Sequence, residues 1–407
     1  MWGRKDYFVK KTIILLCMLF IIQLTACSKA REAVATGEAA SGAPVGTEAC
    51  ELELAPEDRN QSFGALSFVE TTDGYYFGCN SLVYFCSRGG DVFLPLCCKP
   101  DCAHRDRNCN AWAELSAFGY YDGALYAASV KPDSEVFKLE LIKIKMDGTD
   151  HQVVAEEKLD VPTDSSYSFY FHHGKLFVQT TTADSVICSG LPLDQREDQL
   201  IVLDLSDYSQ REPFAEYIAI TPTFYRDKVY GHERRFEIET EPSKLLELDT
   251  ATGEVRTLIP DVAGPSIYVS DSTLYYFEED YSLDNGDDAD FEEGNPGFRE
   301  IDLKTGAIKD CGMPLEDIWW ARYGADYIYA RSYPMDSGDY KLYILSREYE
   351  LLDQITLHGD QYICGEASDR AFILDHDSQY RLFITHYIEK SKIGSGELTL
   401  IPIERFG

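Results

Sequence analysis

The most specific chemical signature in this 407-residue chain is a cluster of cysteines beside one histidine, between Leu96 and Ala111. The spacing Cys98-x3-Cys102-x-His104-x4-Cys109 provides three thiols and one imidazole, a ligand set suited to tetrahedral zinc. A set in which Cys97 replaces Cys98 is equally suitable. A metal site, with zinc as the suitable ion, is therefore one interpretation of the segment, and the choice between these two cysteines stays open.

Two further interpretations of the same residues remain open. Exported thiols tend to be oxidised, so the expectation that we place first is a disulfide staple among the four cysteines, which allow three pairings. A reactive or redox-active thiol is the third interpretation. The closing His104-x4-Cys109 spacing resembles a zinc knuckle, although a knuckle has two residues between its cysteines and four before its histidine.

Three other clusters are weaker candidates. The run from Asp280 to Glu293 has enough carboxylates for calcium, but no EF-hand spacing fits it, so we expect a solvated acidic loop. His172-His173 coincides with a hairpin turn, which predicts solvated side chains. Trp319-Trp320 could stack on a sugar, but adjacent strand residues point to opposite faces, so we expect one of the rings to pack between blades.

No contiguous catalytic motif is present, and we assign no catalytic residue and no organic cofactor. The chain lacks a Gly-x-Ser-x-Gly elbow, a phosphate-binding loop and the Asp box of sialidase-type propellers. The remaining cysteines after residue 27 are expected to be small buried hydrophobic residues. They are Cys50, Cys79, Cys86, Cys188, Cys311 and Cys364.

The N-terminus predicts export. Four basic residues precede an apolar run of about 13 residues, which ends in Leu24-Thr25-Ala26-Cys27. As a helix this run would rise only about 20 Å, too short to span a bilayer. Its end resembles the bacterial lipobox, and that resemblance implies that Cys27 receives a diacylglycerol and becomes the mature N-terminus. We thus expect a signal peptide over 1–26 and a protein anchored on the outer face of the cell membrane, where two acyl chains suffice for stable attachment.

Composition excludes one class of partner. The chain has 37 basic and 70 acidic residues, a formal net charge of −33, and removing residues 1–26 makes it more acidic still. Binding to nucleic acid depends on neutralising phosphates with Lys and Arg, so we expect no nucleic-acid partner. Residues 27–61 are rich in Ala, Gly, Ser and Glu, which predicts a flexible stalk with a reach of about 30 Å.

From Phe63 onward the chain repeats one pattern: a short apolar run, a tight turn, then a strand rich in Tyr, Phe and Val. The first turns of the units are spaced by 43 to 55 residues. They fall at Asp73, Asp122, His173, Asp227, Asp271, Asp326 and Asp369. This spacing is typical of propeller blades, so we predict an all-β propeller of seven four-stranded blades over 62–407.

Several segments support this fold by resemblance. Lys143-Ile-Lys-Met-Asp-Gly-Thr149 resembles the blade motif of TolB-like propellers, and Glu247 to Val255 resembles a quinoprotein-type repeat. The second segment lacks the tryptophan of that repeat, so quinone binding is not implied. The string Leu96-Cys97 to His104 resembles a segment of anchored propeller proteins from Gram-positive anaerobes that have no assigned activity.

Loop lengths predict a functional face. In a propeller, the first-to-second and third-to-fourth strand turns lie on one face, here the short-turn face. The second-to-third loops and the blade connections lie on the other, here the long-loop face, and we expect the binding groups there. The long segments are 183–199, 237–243, 279–295 and 97–110. We therefore expect a binding module for a protein, peptide or glycan, with a polysaccharide hydrolase or lyase and a metal-handling or thiol-redox protein as alternatives.

Overall fold

The computed structural model describes most of the chain after residue 67. The described ranges are 68–113, 117–133, 136–159, 166–181, 199–210, 214, 220–233, 244–260, 266–278, 297–335, 337–359, 361–376 and 382–405. The chain divides into two compact units, Met1–Glu53 and Leu54–Gly407, of which the first lies outside these ranges. The boundaries predicted at residues 26 and 61 also lie outside them and stay predictions. Among the described residues, no helix is long and apolar enough to cross a membrane.

Within the described ranges, 28 strands form seven sheets that follow one another along the chain. Blades 1 and 2 contain β1 (Phe68–Glu70), β2 (Gly74–Cys79), β3 (Leu82–Ser87), β4 (Val92–Pro95), β5 (Ala117–Tyr121), β6 (Ala124–Asp133), β7 (Val136–Lys145) and β8 (His151–Leu159). Blades 3 and 4 contain β9 (Ser166–His172), β10 (Lys175–Thr181), β11 (Gln199–Asp204), β12 (Ile220–Tyr225), β13 (Lys228–Glu233), β14 (Lys244–Asp249) and β15 (Val255–Ile259).

The remaining three blades follow the same order. Blades 5 and 6 contain β16 (Ser266–Ser270), β17 (Thr273–Glu278), β18 (Gly297–Asp302), β19 (Ile308–Gly312), β20 (Ile318–Tyr323), β21 (Ile328–Ser332), β22 (Tyr340–Leu345) and β23 (Leu351–Leu357). Blade 7 contains β24 (Tyr362–Glu366), β25 (Arg370–His376), β26 (Leu382–Glu389) and β27 (Ile401–Pro402), with a short 3-10 helix, Lys390–Lys392, after β26. The last strand, β28 (Glu404–Arg405), joins blade 1.

The predicted seven-bladed, all-β propeller is confirmed. All seven predicted first turns separate the first and second strands of a blade, and each blade is an antiparallel meander. Blade 3 is the exception in detail. Its described residues form three strands, and the place of a fourth is taken by two isolated bridges, Leu200 to Phe214 and Leu203 to Gln210.

Burial falls from the inner to the outer strands. Every residue of β2 is buried, whereas in β19 four of the five residues are exposed. Inner strands are covered on both faces because neighbouring blades pack face to face around the axis, and outer strands diverge into solvent. The packing near the axis is tight: a Cβ on Gly119 of β5 would lie 2.3 Å from Cβ of Phe171 in the next blade. The core is therefore a ring of interfaces between blades.

A repeated contact joins neighbouring blades at the ends of the innermost strands. In blades 2 to 4 the last residue of that strand reaches the first turn of the following blade. Tyr121 packs on Gly174, Nε2 of His172 lies 3.0 Å from the carbonyl oxygen of Arg226, and the Tyr225 hydroxyl accepts a hydrogen bond from the backbone N–H of Asp271.

In blades 6, 7 and 1 the last residue of the innermost strand instead contacts the preceding blade. The Tyr323 hydroxyl donates to the carbonyl oxygen of Tyr276 at 3.0 Å, and the Glu366 carboxylate lies against the backbone of the first turn of blade 6 at Gly324. A Cβ on Gly324 would lie 1.8 Å from the Glu366 carboxylate, so this approach requires glycine. Lys390 pairs with Glu366 at 2.8 Å and also contacts Asp326, which compensates the buried carboxylate.

The ring closes where Glu70 of blade 1 meets blade 7. The buried Glu70 carboxylate accepts hydrogen bonds from the backbone N–H of Ser368 at 2.9 Å and from Arg88 at 2.7 Å. The Tyr75 hydroxyl donates to Asp369 at 2.5 Å, and burial together with this carboxylate raises the pKa of Tyr75. Beneath these polar contacts, the ring of Phe372 packs against Phe68, Tyr75 and Phe93 of blade 1.

The C-terminal segment adds backbone hydrogen bonds to this closure. β27 pairs with β26 of blade 7, and two residues later β28 pairs in parallel with β4 of blade 1. The backbone N–H of Ile403 donates to Thr385, and that of Glu404 donates to Asp91, both at 2.9 Å. Five consecutive residues therefore join the last blade to the first at their outer edges.

We expect Glu70→Gln to lower the free energy of unfolding by about 1 to 3 kcal/mol, because a buried charged acceptor of hydrogen bonds is lost. Chemical denaturation monitored by tryptophan fluorescence measures this. The matched control is Glu397→Gln, which removes a solvent-exposed partner of Lys392 and should cost less than about 1 kcal/mol. Equal effects of the two substitutions would contradict the assigned role of Glu70.

Candidate functional site: the cysteine-histidine loop and the aromatic surface of blade 6

The cysteine-histidine loop, residues 96–111, leaves blade 1 at the end of β4 and returns to the same blade. Both of its ends are held by Val83: the backbone N–H of Leu96 donates to the Val83 carbonyl at 2.8 Å, and the Val83 N–H donates to Ala111 at 2.9 Å. One residue near the start of β3 thus closes the base of the loop, and the loop is a compact excursion from the outer edge of blade 1.

The loop follows β4 as part of a blade connection, and it also reaches a turn of the short-turn set. The backbone N–H of Cys98 and the side-chain amide of Asn110 both donate to the carbonyl oxygen of Gly148, at 3.3 Å and 2.8 Å. Gly148 lies in the third-to-fourth strand turn of blade 2, which belongs to the short-turn set. The loop is consequently a brace between the outer edges of blades 1 and 2.

The loop brings together four candidate ligands. One ligand atom from each of Cys97, Cys102, His104 and Cys109 lies within 4.8 Å of all the others, and Nδ1 of His104 is 3.2 Å from Sγ of Cys109. Cys98 is exposed and is not part of the cluster. The structure therefore selects the Cys97 set over the Cys98 set, a choice that sequence spacing left open.

The pKa values of two thiols in the cluster are shifted in opposite directions. Burial raises the pKa of Cys109 to about 12. Burial also acts to raise the pKa of Cys97, but hydrogen bonds from the backbone N–H groups of Lys99 and Asn110 outweigh it and hold that pKa below its usual value. The amide groups of the loop thus favour the thiolate form at Cys97.

The backbone at His104 is in the left-handed region, with φ of 52°. A non-glycine residue there costs on the order of 1 kcal/mol and persists only where its surroundings fix it. This conformation directs the imidazole at Cys109. The loop therefore uses strained backbone to place its one imidazole inside the thiol cluster.

Most of the other cysteines and histidines named in the sequence analysis are buried where the structure describes them. Cys79, Cys86 and Cys364 are buried, as expected, whereas Cys311 is half-buried. His173 is exposed in its turn, but the expectation of a solvated His172 is wrong. That side chain is buried because it bridges blades 3 and 4 through Arg226.

A second feature, which we name the aromatic surface, lies on blade 6 at the end opposite its first turn. It consists of Trp319, Trp320, Arg331, Tyr333 and Met335. The guanidinium carbon of Arg331 lies 5.6 Å from the centre of the Trp319 ring and 5.8 Å from that of Trp320, while Tyr333 stacks on Trp319 at 6.4 Å. Tyr333 and Met335 are both 38% exposed.

The arrangement of the two tryptophans differs from simple strand alternation. The register between β20 and β21 shifts between Ile318 and Trp320, so both indoles approach the same arginine. A bulge of this kind re-aims a side chain within a strand. Both residues are half-buried overall, and the indole nitrogen of Trp319 is buried.

Several predicted features lie outside the described residues. These are Cys27, Cys50 and Cys188, the acidic run 280–293, and most of the long segments 183–199, 237–243 and 279–295. Calcium binding by the acidic run therefore stays an untested expectation. Of the long segments named above, 97–110 is described in full.

Comparisons with known proteins give the fold. No family model matches the chain, and no curated protein matches its sequence. A solved prolyl endopeptidase and prolyl oligopeptidase B from Galerina marginata align with 84% of the chain at TM-scores of 0.52, with 10% and 12% identity. The propeller domain of the Trilobed protease from Pyrococcus furiosus aligns at 0.45, with 10% identity, over 83% of this chain and 95% of that domain.

The chain spans about half the length of the two peptidases, 50% and 52%. At these identities the likeness shows the fold alone. Neither the peptidase activity nor its residues are transferred to this chain.

We predict that a thiol-alkylating reagent modifies Cys98 before Cys109, Cys86 and Cys364 in the folded protein, because the Cys98 side chain is exposed while the other three are buried. Peptide mapping by mass spectrometry after brief exposure measures the order of modification. In the Cys98→Ser variant, the early modification of the peptide that contains residue 98 should vanish. Faster labelling of Cys109 than of Cys98 would contradict the geometry of the loop.

Proposed function

We propose that this protein is a lipid-anchored, extracytoplasmic propeller that binds a glycan at the aromatic surface of blade 6. The observation that carries the proposal is the pair of partly exposed indoles, Trp319 and Trp320, next to the exposed ring of Tyr333. Flat aromatic rings provide large contact area at low cost in side-chain entropy, and they suit the apolar faces of sugar rings.

The chemistry around the rings suits a polar ligand. The Arg331 guanidinium lies over both indole rings, and that of Arg322 lies over the Trp320 ring at 4.8 Å from its centre, so cationic hydrogen-bond donors form part of this surface. Such donors match sugar hydroxyl groups. The net charge of −33 opposes an extended polyanion, which favours a neutral glycan.

The location of this surface agrees with the loop argument. Trp319 lies at the start of β20 and Tyr333 directly after β21, so both are at the end of blade 6 remote from the 324–327 turn. That end belongs to the long-loop face, where a rigid scaffold presents variable loops. Glycan binding at this face is the interaction expected of a module held near the cell surface.

We expect Trp319→Ala and Tyr333→Ala each to weaken binding of a neutral envelope glycan at least about tenfold, since a buried aromatic anchor commonly contributes more than 1.4 kcal/mol. Glycan-array screening followed by calorimetry measures this. The matched control is Tyr120→Ala, which removes an exposed tyrosine from the opposite end of blade 2. Unchanged affinity in both blade 6 variants would refute this binding surface.

Membrane attachment through Cys27 has its own test. Metabolic labelling with a fatty acid in a bacterial host should label the wild-type chain, and Cys27→Ala should abolish both the label and recovery in the membrane fraction. Cys50→Ala is the control, because that cysteine follows no lipobox-like sequence. Equal labelling of Cys27→Ala and wild type would exclude this anchor.

The described residues give no comparable support to the enzymatic alternative. Within the described ranges, the carboxyl group whose pKa is raised is that of Glu366, and burial is the largest cause. This group pairs with Lys390 at the short-turn end of blade 7, away from the aromatic surface. Its environment is that of an interface between blades, so we do not propose a hydrolase or lyase.

A further inference from the structure

We propose that Cys97, Cys102, His104 and Cys109 form a structural zinc site that stabilises the closure of the propeller ring. This inference is independent of glycan binding. It concerns a different blade and would hold if the aromatic surface had no ligand.

The positions of the four ligand atoms suit a tetrahedral ion. With metal–sulfur bonds of about 2.3 Å, the sulfur atoms around a tetrahedral zinc lie about 3.8 Å apart. The four atoms here all lie within 4.8 Å of one another, so small rotations of the side chains bring them onto one centre. Binding would release the thiol protons to solvent.

The number of thiols in the cluster argues against a staple. A disulfide joins two sulfurs about 2.0 Å apart, so three clustered cysteines would leave one thiol and His104 without a role. Cys98, which would be the fourth cysteine, is exposed and outside the cluster. One ion uses all three thiols and the imidazole together.

The ligand set also indicates a structural role. Three cysteines and one histidine complete a four-coordinate zinc, whereas catalytic zinc sites keep one position open for water. Cys109 is fully buried, and the carbonyl oxygen of Asn108 accepts a hydrogen bond from the Lys99 ammonium group across the loop. The other three ligands are half-buried, so the loop covers the site in part.

The loop is positioned to act on ring closure. Cys97 lies two residues after the end of β4, and β4 carries the parallel pairing with β28 that joins blade 7 to blade 1. On its other side the loop is held to Gly148 of blade 2. An ion in the loop would fix the end of β4 and therefore the short strand that receives β28.

The test uses the full chain, expressed with its own leader and purified in detergent without air. We expect one zinc per chain by native mass spectrometry, with the cluster thiols reduced, and Co(II) in its place should give the intense visible bands of tetrahedral thiolate coordination. Cys102→Ser should lose affinity for Co(II) at least about 100-fold, and the matched control Cys98→Ser should retain it. The His104→Cys variant should still bind Co(II), with altered visible absorption bands.

Chelation of the wild-type protein tests the link to ring closure without relying on variants that fold poorly. Metal removal should increase amide hydrogen exchange in Val92–Pro95 and Glu404–Arg405, while Lys244–Asp249 of blade 4 serves as the internal control. A metal-free chain with a disulfide among Cys97, Cys102 and Cys109 would overturn the zinc site. Unchanged exchange at β4 and β28 after metal loss would overturn its role in closure.

Discussion

The propeller depends on closing its ring, because each blade buries its two faces only if both neighbours are in place. The first and last blades are therefore the critical pair. Their interface combines an aromatic cluster around Phe372, the buried Glu70 carboxylate with its donors, and the pairing of β28 with β4. In the described part of the chain, the strand that passes from blade 7 into the sheet of blade 1 is the two-residue β28, so these contacts and the short C-terminal segment carry the closure.

The cysteine-histidine loop and the last residues of the innermost strands both join neighbouring blades. The strand residues do so near the axis, and the loop does so at the outer edge. Near the axis, residues such as His172, Tyr225 and Glu366 tie one blade to the first turn of its neighbour. At the rim, the loop ties blade 1 to Gly148 of blade 2, next to the strand that receives the C-terminus. Stability contacts thus concentrate at the short turns and the outer edge. The partly exposed aromatic groups of blade 6 lie at the opposite end of the propeller.

Much of the fold was predictable from the sequence because turns have strong local signals. Asp and Gly residues marked the hairpins, and strands rich in Tyr, Phe and Val followed them at nearly constant spacing. The sequence did not predict the contacts between blades that the last residues of the innermost strands make. Their common feature is position, directly before each first turn, but the residue types differ, from Glu70 through Tyr121 and His172 to Tyr225. Only an alignment of the repeats on their turns would have exposed them.

By itself the sequence determined a seven-unit β-propeller, a strongly acidic surface and a thiol-imidazole ligand set, because turn chemistry, charge and residue type are local properties. Only the tertiary structure decided that Cys97 joins the cluster while Cys98 faces solvent, since adjacent residues differ in direction by backbone geometry that spacing does not encode. It also decided that the loop braces the short turn of blade 2. The bulge that brings Trp319 and Trp320 to one arginine was likewise invisible, because it arises from pairing between two strands.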